Sequence, residues 1–232
     1  MINYHGTDLE EIAPIKIDDI RVSPIAVTPV TRQRPVKWGQ EYVRTTGQAR
    51  TVAVTFALLV RDRDARQNYL ADITDWARVG EVCELYLPTR SGWHLETVCT
   101  GLPEPSYRIW WENKLRLTFT TMDCPYWISD SEQAAAFNRD ITIGGNAPPV
   151  MRFERTLTTT EADRRYSTDT ESMLFTQIPA GKLVVDLNRQ ISTVGGVSID
   201  KYLTPTSTYI VPKTGTQRIK GEGTIYYRER CI

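Results

Sequence analysis

Only one stretch of this chain repeats its apolar side chains at helical intervals. In DRDARQNYLADITDWARVG, residues 62–80, Leu70, Ile73, Trp76 and Ala77 fall on one face of a helix. Asp62 or Asp64 can cap its start, where carboxylates also meet the positive dipole end, and Gly80 can close it. Elsewhere the apolar pattern has period two. GQARTVAVTFALLV sets Val52, Val54, Phe56 and Leu58 on one side of a strand, and EYVRTTGQA supplies a strand before it, so 41–60 is expected to form a hairpin. VCELYLP, WHLETVCTGLP and YRIWWENKLRLTFT continue the strands, with a turn near Trp111–Lys114 in the last. A single helix among many strands has one place to bury its stripe, the face of a sheet. The fold class expected is mainly β: an α+β N-terminal domain with one helix packed on a sheet, followed by a β-sandwich.

The segment TTMDCPYWIS, 120–129, closes this first run, and SDSEQAAAFNRD follows without apolar periodicity. That change of composition sets the expected organisation: a first domain at 1–130, a linker at 131–140 and a second domain at 141–232. Pro125 can stop the ladder, with Tyr126 and Trp127 folding back as a clasp on the first domain. The second part, from ITIGGNAPPVMRFER to RIKGEGTIYYRERC, reads as short strands separated by Gly and Pro every ~8–12 residues, a sandwich pattern. TLTTTEADRRYSTDTES, which holds Asp163, Arg164 and Arg165, reads as an exposed loop, with a basic contact patch as the other reading.

The chemistry of an enzyme is hard to place. Lys+Arg and Asp+Glu both number 28, so there is no cationic excess for gripping phosphate. His5 and His94 stand outside any metal-ligand spacing, and there is no GxSxG elbow, P-loop or dinucleotide fingerprint. Paired glycines at 144–145 and 195–196, and the GEG at 221–223, read as turns between strands. Cys83, Cys99, Cys124 and Cys231 are far apart, and reduced thiols are the expectation. No catalytic residue, metal or cofactor is expected, and no run is long enough to span a membrane.

Aromatic residues are the remaining resource. Trp76 belongs to the helix stripe, whereas Trp38 sits in TPVTRQRPVKWGQEYVR, a basic segment better suited to an interface than to a core. An arm near 29–50, with Arg34, Trp38, Tyr42 and Arg44 as inter-subunit contacts, is one reading; an ordinary long loop is the other. In the second part Tyr202, Tyr209, Tyr226 and Tyr227 are candidate sugar platforms.

Taken in order, GQARTVAVTFAL, WARVGEVCELYLP, SGWHLETVCTGLPEP, KLRLTFTTMDCPYWIS, GGNAPPVMRFE and the closing LVVDLNRQISTVGGVSIDKYLTPTSTYIVPKTG with TIYYRERC resemble the distal tail protein (Dit) family of long-tailed bacteriophages, over nearly the whole chain. Lys213 stands where the family usually has glycine after Pro212, and Cys124 where an acid is more usual. The resemblance implies a homohexameric ring of N-terminal domains with a galectin-like sandwich outside it. It implies a virion hub, assembled in the host bacterial cytoplasm, that joins the tail tube protein to the tail-tip or tail-associated hub protein at the distal end of the tail. Tape measure protein or receptor-binding protein would be further partners, and DNA would only pass through the lumen. The alternative function is a carbohydrate-binding module that recognises host cell-wall polysaccharide through the C-terminal domain.

Overall fold

The computed structural model describes residues 1–25, 48–77, 80–103, 114–122 and 124–232, and the backbone of 27–33 and 40–47. The chain divides into two compact units, Met1–Pro125 and Tyr126–Ile232. The first contains β1 (Asn3–Tyr4), β2 (Thr7–Asp8), α1 (Leu9–Ile12), β3 (Ile15–Val22), β4 (Val27–Gln33), β5 (Gln40–Gly47), β6 (Thr51–Leu58), α2 (Arg63–Ala77), β7 (Cys83–Tyr86), β8 (Trp93–Gly101) and β9 (Lys114–Thr121). Its sheet is antiparallel, in the order β3-β6-β9-β8-β7-β1-β2.

Helix α2 forms where its spacing places it. Asp62 caps it, Oδ2 accepting from the Ala65 amide at 2.9 Å. Ile73, Trp76 and Ala77 are buried, and Leu70 is half-buried. Trp76 meets Tyr4 of β1 edge-on at 5.6 Å and Phe119 of β9 at 6.4 Å, and its indole donates to the Thr7 carbonyl at 3.2 Å. On β6, Val52, Val54, Phe56 and Leu58 are buried in alternation, as read from the sequence.

The pairing of β5 differs from expectation. It does not form a hairpin with β6, which lies between β3 and β9; it pairs with β4, from Val27 opposite Gly47 to Gln33 opposite Gln40, with an irregularity beside Val30 and Thr31. Period two says that a strand exists but not which neighbour it takes. The expected strand at 107–110 and the turn at 111–114 lie mostly outside the described residues.

The second unit is a sandwich. Its strands are β10 (Trp127–Ser129), β11 (Gln133–Ala136), β12 (Asp140–Ile143), β13 (Ala147–Leu157), β14 (Glu161–Ser167), β15 (Ser172–Ile178), β16 (Gly181–Asp186), β17 (Ile191–Val194), β18 (Val197–Ser198), β19 (Gly215–Arg218) and β20 (Thr224–Cys231). One layer runs β18-β17-β16-β13-β20, with β10 and β11 both paired to β20. The other consists of the β12–β19 and β14–β15 pairs, joined where Ser167 and Lys220 exchange backbone hydrogen bonds of 3.0 and 2.8 Å. Met151, Phe153, Leu183, Val185 and Ile225 from the first layer pack with Ile141, Tyr166, Met173, Phe175 and Ile219 from the second. Gly195 and Gly196, at φ of 57° and 84°, make the two-residue turn between β17 and β18, a backbone that side chains resist.

One boundary expectation is corrected here. Residues 131–140 are not a linker: β11 lies antiparallel to β20, Gln133 opposite Tyr227 through Ala136 opposite Thr224, and Phe137 is in the core. Trp127 pairs with Cys231 of β20, is buried, and falls with Tyr126 in the second unit, while Pro125 ends the first. The polar composition that looks like a tether belongs to an edge strand whose backbone, not its side chains, makes the ladder. The segment around Asp163, expected as a loop, is strand β14 paired with β15.

Candidate interaction sites

The arm residues divide by what is described. Tyr42 and Arg44 lie on β5, with Tyr42 opposite Thr31 and Arg44 opposite Val30; Arg34 and Trp38 lie outside the described residues, in the segment joining the two strands. The described ladder of β4 and β5 is a sheet of their own, so this hairpin leaves backbone edges beyond its own pairing.

The four tyrosines proposed as sugar platforms do different jobs. Tyr227 is buried in the core and donates to Gln133 Oε1 at 2.7 Å, so its ring offers no open face. Tyr209 is half-buried and its hydroxyl donates to Asp200 Oδ1 at 2.6 Å, 2.7 Å from Ser192 Oγ. Burial and the Asp200 carboxylate both push its ionisation upward. Tyr226 carries the Arg152 guanidinium over its ring at 4.8 Å, and Tyr202 the Lys201 ammonium at 5.0 Å. All four are therefore engaged within the fold.

Arg152 is the centre of a ladder on the outer face of the first layer. It grips Glu132 with Nη1 and Nη2 at 2.5 and 2.9 Å and Glu154 with Nε at 2.7 Å, and Lys182 reaches Glu154 at 2.7 Å. Arg152 holds the Glu132 carboxyl below the usual range, and it does the same to Glu154 with the help of Lys182. Sequence reading did not find this ladder; the signal was the charged outward row of β13, Arg152 and Glu154, between Met151, Phe153 and their neighbours.

A second charged group sits on the inner row of the same strand. Arg155 stands in line with Phe153 and Leu157, and its side chain is 19% exposed. Glu161 receives both its Nη atoms at 2.9 Å, Glu222 approaches Nη2 at 2.7 Å, and Arg164 bonds Glu161 at 2.6 Å and Glu222 at 3.1 Å. Burial alone would lower the Arg155 pKa; Glu222 and Glu161 more than offset it. Arg155, Arg164 and Glu222 border a cavity of about 310 Å³.

In the first unit, His5, Glu11, Asp72, Asp75 and Trp76 border a wider groove of about 510 Å³. His5 Nδ1 lies 3.5 Å from Cys83 Sγ, but burial pushes the Cys83 thiol up, away from the thiolate a nucleophile needs. His94 is buried on β8, 3.8 Å from Glu84 Oε1. None of the four cysteines forms a disulfide, and among the described residues no group of three His, Cys, Asp or Glu side chains could hold a metal ion. No described helix is long and apolar enough to cross a membrane.

A sheet unit carrying α1 and α2 is followed by a β-sandwich, with a separate β4–β5 pair between β3 and β6, and this fold is shared with a solved phage protein. The particular likeness is to the SPP1 Dit protein, whose crystal structure is described as a paradigm of the hub adsorption apparatus in phages that infect Gram-positive bacteria: TM-score 0.76, 12% identity, over 100% of this chain and 98% of that one. The phage P2 baseplate in its activated conformation, solved with Ca and with Sr, also aligns, at TM-scores of 0.46 and 0.42 and 7% identity, over 94% and 93% of this chain and 90% of each of those. Scores that low support nothing further. No protein-family model matches the sequence, and no curated protein matches it. The chain has the fold of a distal tail protein from end to end.

Proposed function

We propose that this chain is a structural virion protein: a homohexameric hub at the distal end of a phage tail, joining the tail tube to the tail-tip or receptor-binding apparatus and leaving a channel for DNA. The observation that carries this reading is the match of both units, in one chain and in the same order, to the SPP1 Dit fold. A binding module alone would need only the sandwich; an enzyme would need a site that the described residues do not offer. The neighbours proposed are further copies of the chain, the tail tube protein and a tail-associated hub protein, with tape measure and receptor-binding proteins as additional partners. The place of action proposed is the virion tail, after assembly in the host cytoplasm.

The β4–β5 hairpin supports ring closure. A head-to-tail interface that closes on itself needs an element of one copy that the next can receive. A pair of strands with its own ladder, joined by a basic stretch of sequence that contains Arg34 and Trp38, is suited to that role. A lumen for DNA also gains from a chain with no cationic excess, because DNA must slide rather than bind.

Negative-stain electron microscopy with mass photometry of the purified chain tests this. The expected result is an annular particle with a central opening and a mass several times that of the 26.5 kDa chain. Removal of residues 30–45 should lower the ring population while leaving the circular dichroism of the chain intact. A species that stays monomeric at high concentration, without annular particles, overturns the hub; rings unchanged by the deletion overturn the arm.

A further inference from the structure

A buried charge needs a counter-charge, and one arginine of the first unit is buried without a carboxylate. Arg50 lies between the end of β5 and the start of β6 and is 4% exposed. Its backbone is satisfied: the amide donates to Thr121 Oγ1 at 2.7 Å, and the carbonyl accepts from the Thr121 amide at 2.9 Å. Its side chain is not. Nε has no hydrogen-bond partner, and among the described residues no carboxylate pairs with the guanidinium. Arg90, in the connection between β7 and β8, brings a like charge; its own guanidinium lies over the Trp93 ring at 4.9 Å. Burial and Arg90 both lower the Arg50 pKa, and Cys124 acts in the opposite direction.

A guanidinium keeps its proton throughout the ordinary pH range, so neutralisation gives no escape from the cost of burying it. An anion has to meet it. Of the groups that act on Arg50, Cys124 is the one able to become negative. It is 4% exposed and follows three residues after Thr121, whose amide already ties that strand end to Arg50. Burial by itself disfavours a thiolate, as at Cys83 and Cys99, where it pushes the thiols up. Cys124 differs because it is buried together with a cation. Ionising its thiol removes an uncompensated charge instead of creating one.

We infer that Cys124 is a buried thiolate held by Arg50, an ion pair that fastens the end of β9 to the entry of β6. The charged groups of this cluster among the described residues are Arg50 and Arg90. The pair does not depend on the hub reading. Ultraviolet thiolate absorbance of the full chain and of Cys124→Ser, followed across pH, tests it, because their difference is the titration of Cys124. That titration should fall below about pH 7.5, at least about tenfold more acidic than an ordinary thiol at roughly 8.5, and Arg50→Met should move it above the ordinary value. Stability carries the same sign. A depressed folded value stabilises above it, so the melting-temperature lead of the parent over Cys124→Ser should grow as pH rises toward the unfolded thiol value and vanish as pH falls through the folded one. Cys124→Asp and Cys124→Asn differ in charge alone and keep the test decisive if Arg50→Met fails to fold. At neutral pH Cys124→Asp should melt as high as the parent and Cys124→Asn lower. An ordinary or raised titration of Cys124, or equal melts of the last two variants, overturns the pair.

Discussion

Tyr209→Phe separates a structural tyrosine from a ligand platform. The hydroxyl donates to Asp200 Oδ1 at 2.6 Å; the same oxygen accepts the Ser192 amide at 2.8 Å, and Oδ2 accepts from Ser198 Oγ at 3.1 Å. Ser192 is fully buried on β17, so this cluster ties the chain around 198–209 to that strand. A hydrogen bond to a charged acceptor contributes about 1.5–3 kcal/mol, and its removal also leaves Ser192 Oγ short of a neighbour at 2.7 Å. For a unit of the size of Tyr126–Ile232, that corresponds to a fall in melting temperature of about 10 °C. The pH dependence has a definite sign. Burial alone would raise the Asp200 carboxyl, but the Tyr209 hydroxyl and the Ser192 and Ser198 donors outweigh it and hold the group below its ordinary value. A depressed folded value means that the stabilisation is present above the unfolded carboxylate value near 4 and is lost as pH falls through the folded one. Calorimetric melts from about pH 7 downward should therefore converge for parent and Tyr209→Phe in acid, and Asp200→Asn should remove most of the difference at neutral pH. A Tyr209→Phe melt that matches the parent at pH 7 refutes the clamp.

Two further substitutions probe the cores of the separate units. Phe119→Ala removes a fully buried ring lying 5.0 Å from Tyr4 and 6.4 Å from Trp76, and should cost about 3–5 kcal/mol in chemical denaturation, with a change in tryptophan emission as the α2 seat loosens. Gly145→Ala places a Cβ 2.2 Å from the Arg230 carbonyl oxygen at φ 81°, and should cost at least about 2 kcal/mol, read as a lower melting temperature of the second unit; an unchanged melt would show that the β12–β13 connection relaxes freely.

What the sequence makes legible follows from which interactions leave a periodic trace. The α2 stripe and the alternation of β6 do, because each buried side chain is a direct consequence of spacing. β11 does not: QAAA joins β20 by backbone hydrogen bonds while most of its side chains stay exposed, so composition makes it look like a tether. β14 is similar. In EADRRYS only Tyr166 is buried, and one buried position cannot show a period. The partner of β5 is invisible for another reason, since adjacency in the chain favours β6 and only the assembled sheet shows β6 already occupied on both edges by β3 and β9. Arg155 did leave a trace, a charge at an inward position of MRFERTL; inward charges demand partners, and Glu161 and Glu222 are those partners.

A fold shared at 12% identity means that few residues are held in common while the course of the backbone is kept. Cores tolerate such replacement when volume and patterning are kept. The features tied to particular residues lie elsewhere, in the basic sequence between β4 and β5 and in the Arg152 ladder. The ring closure proposed for this chain draws on the first unit alone. It would fall to backbone edges of the β4–β5 hairpin, so a destabilising substitution confined to Tyr126–Ile232 that leaves the Met1–Pro125 unit folded should leave the ring intact.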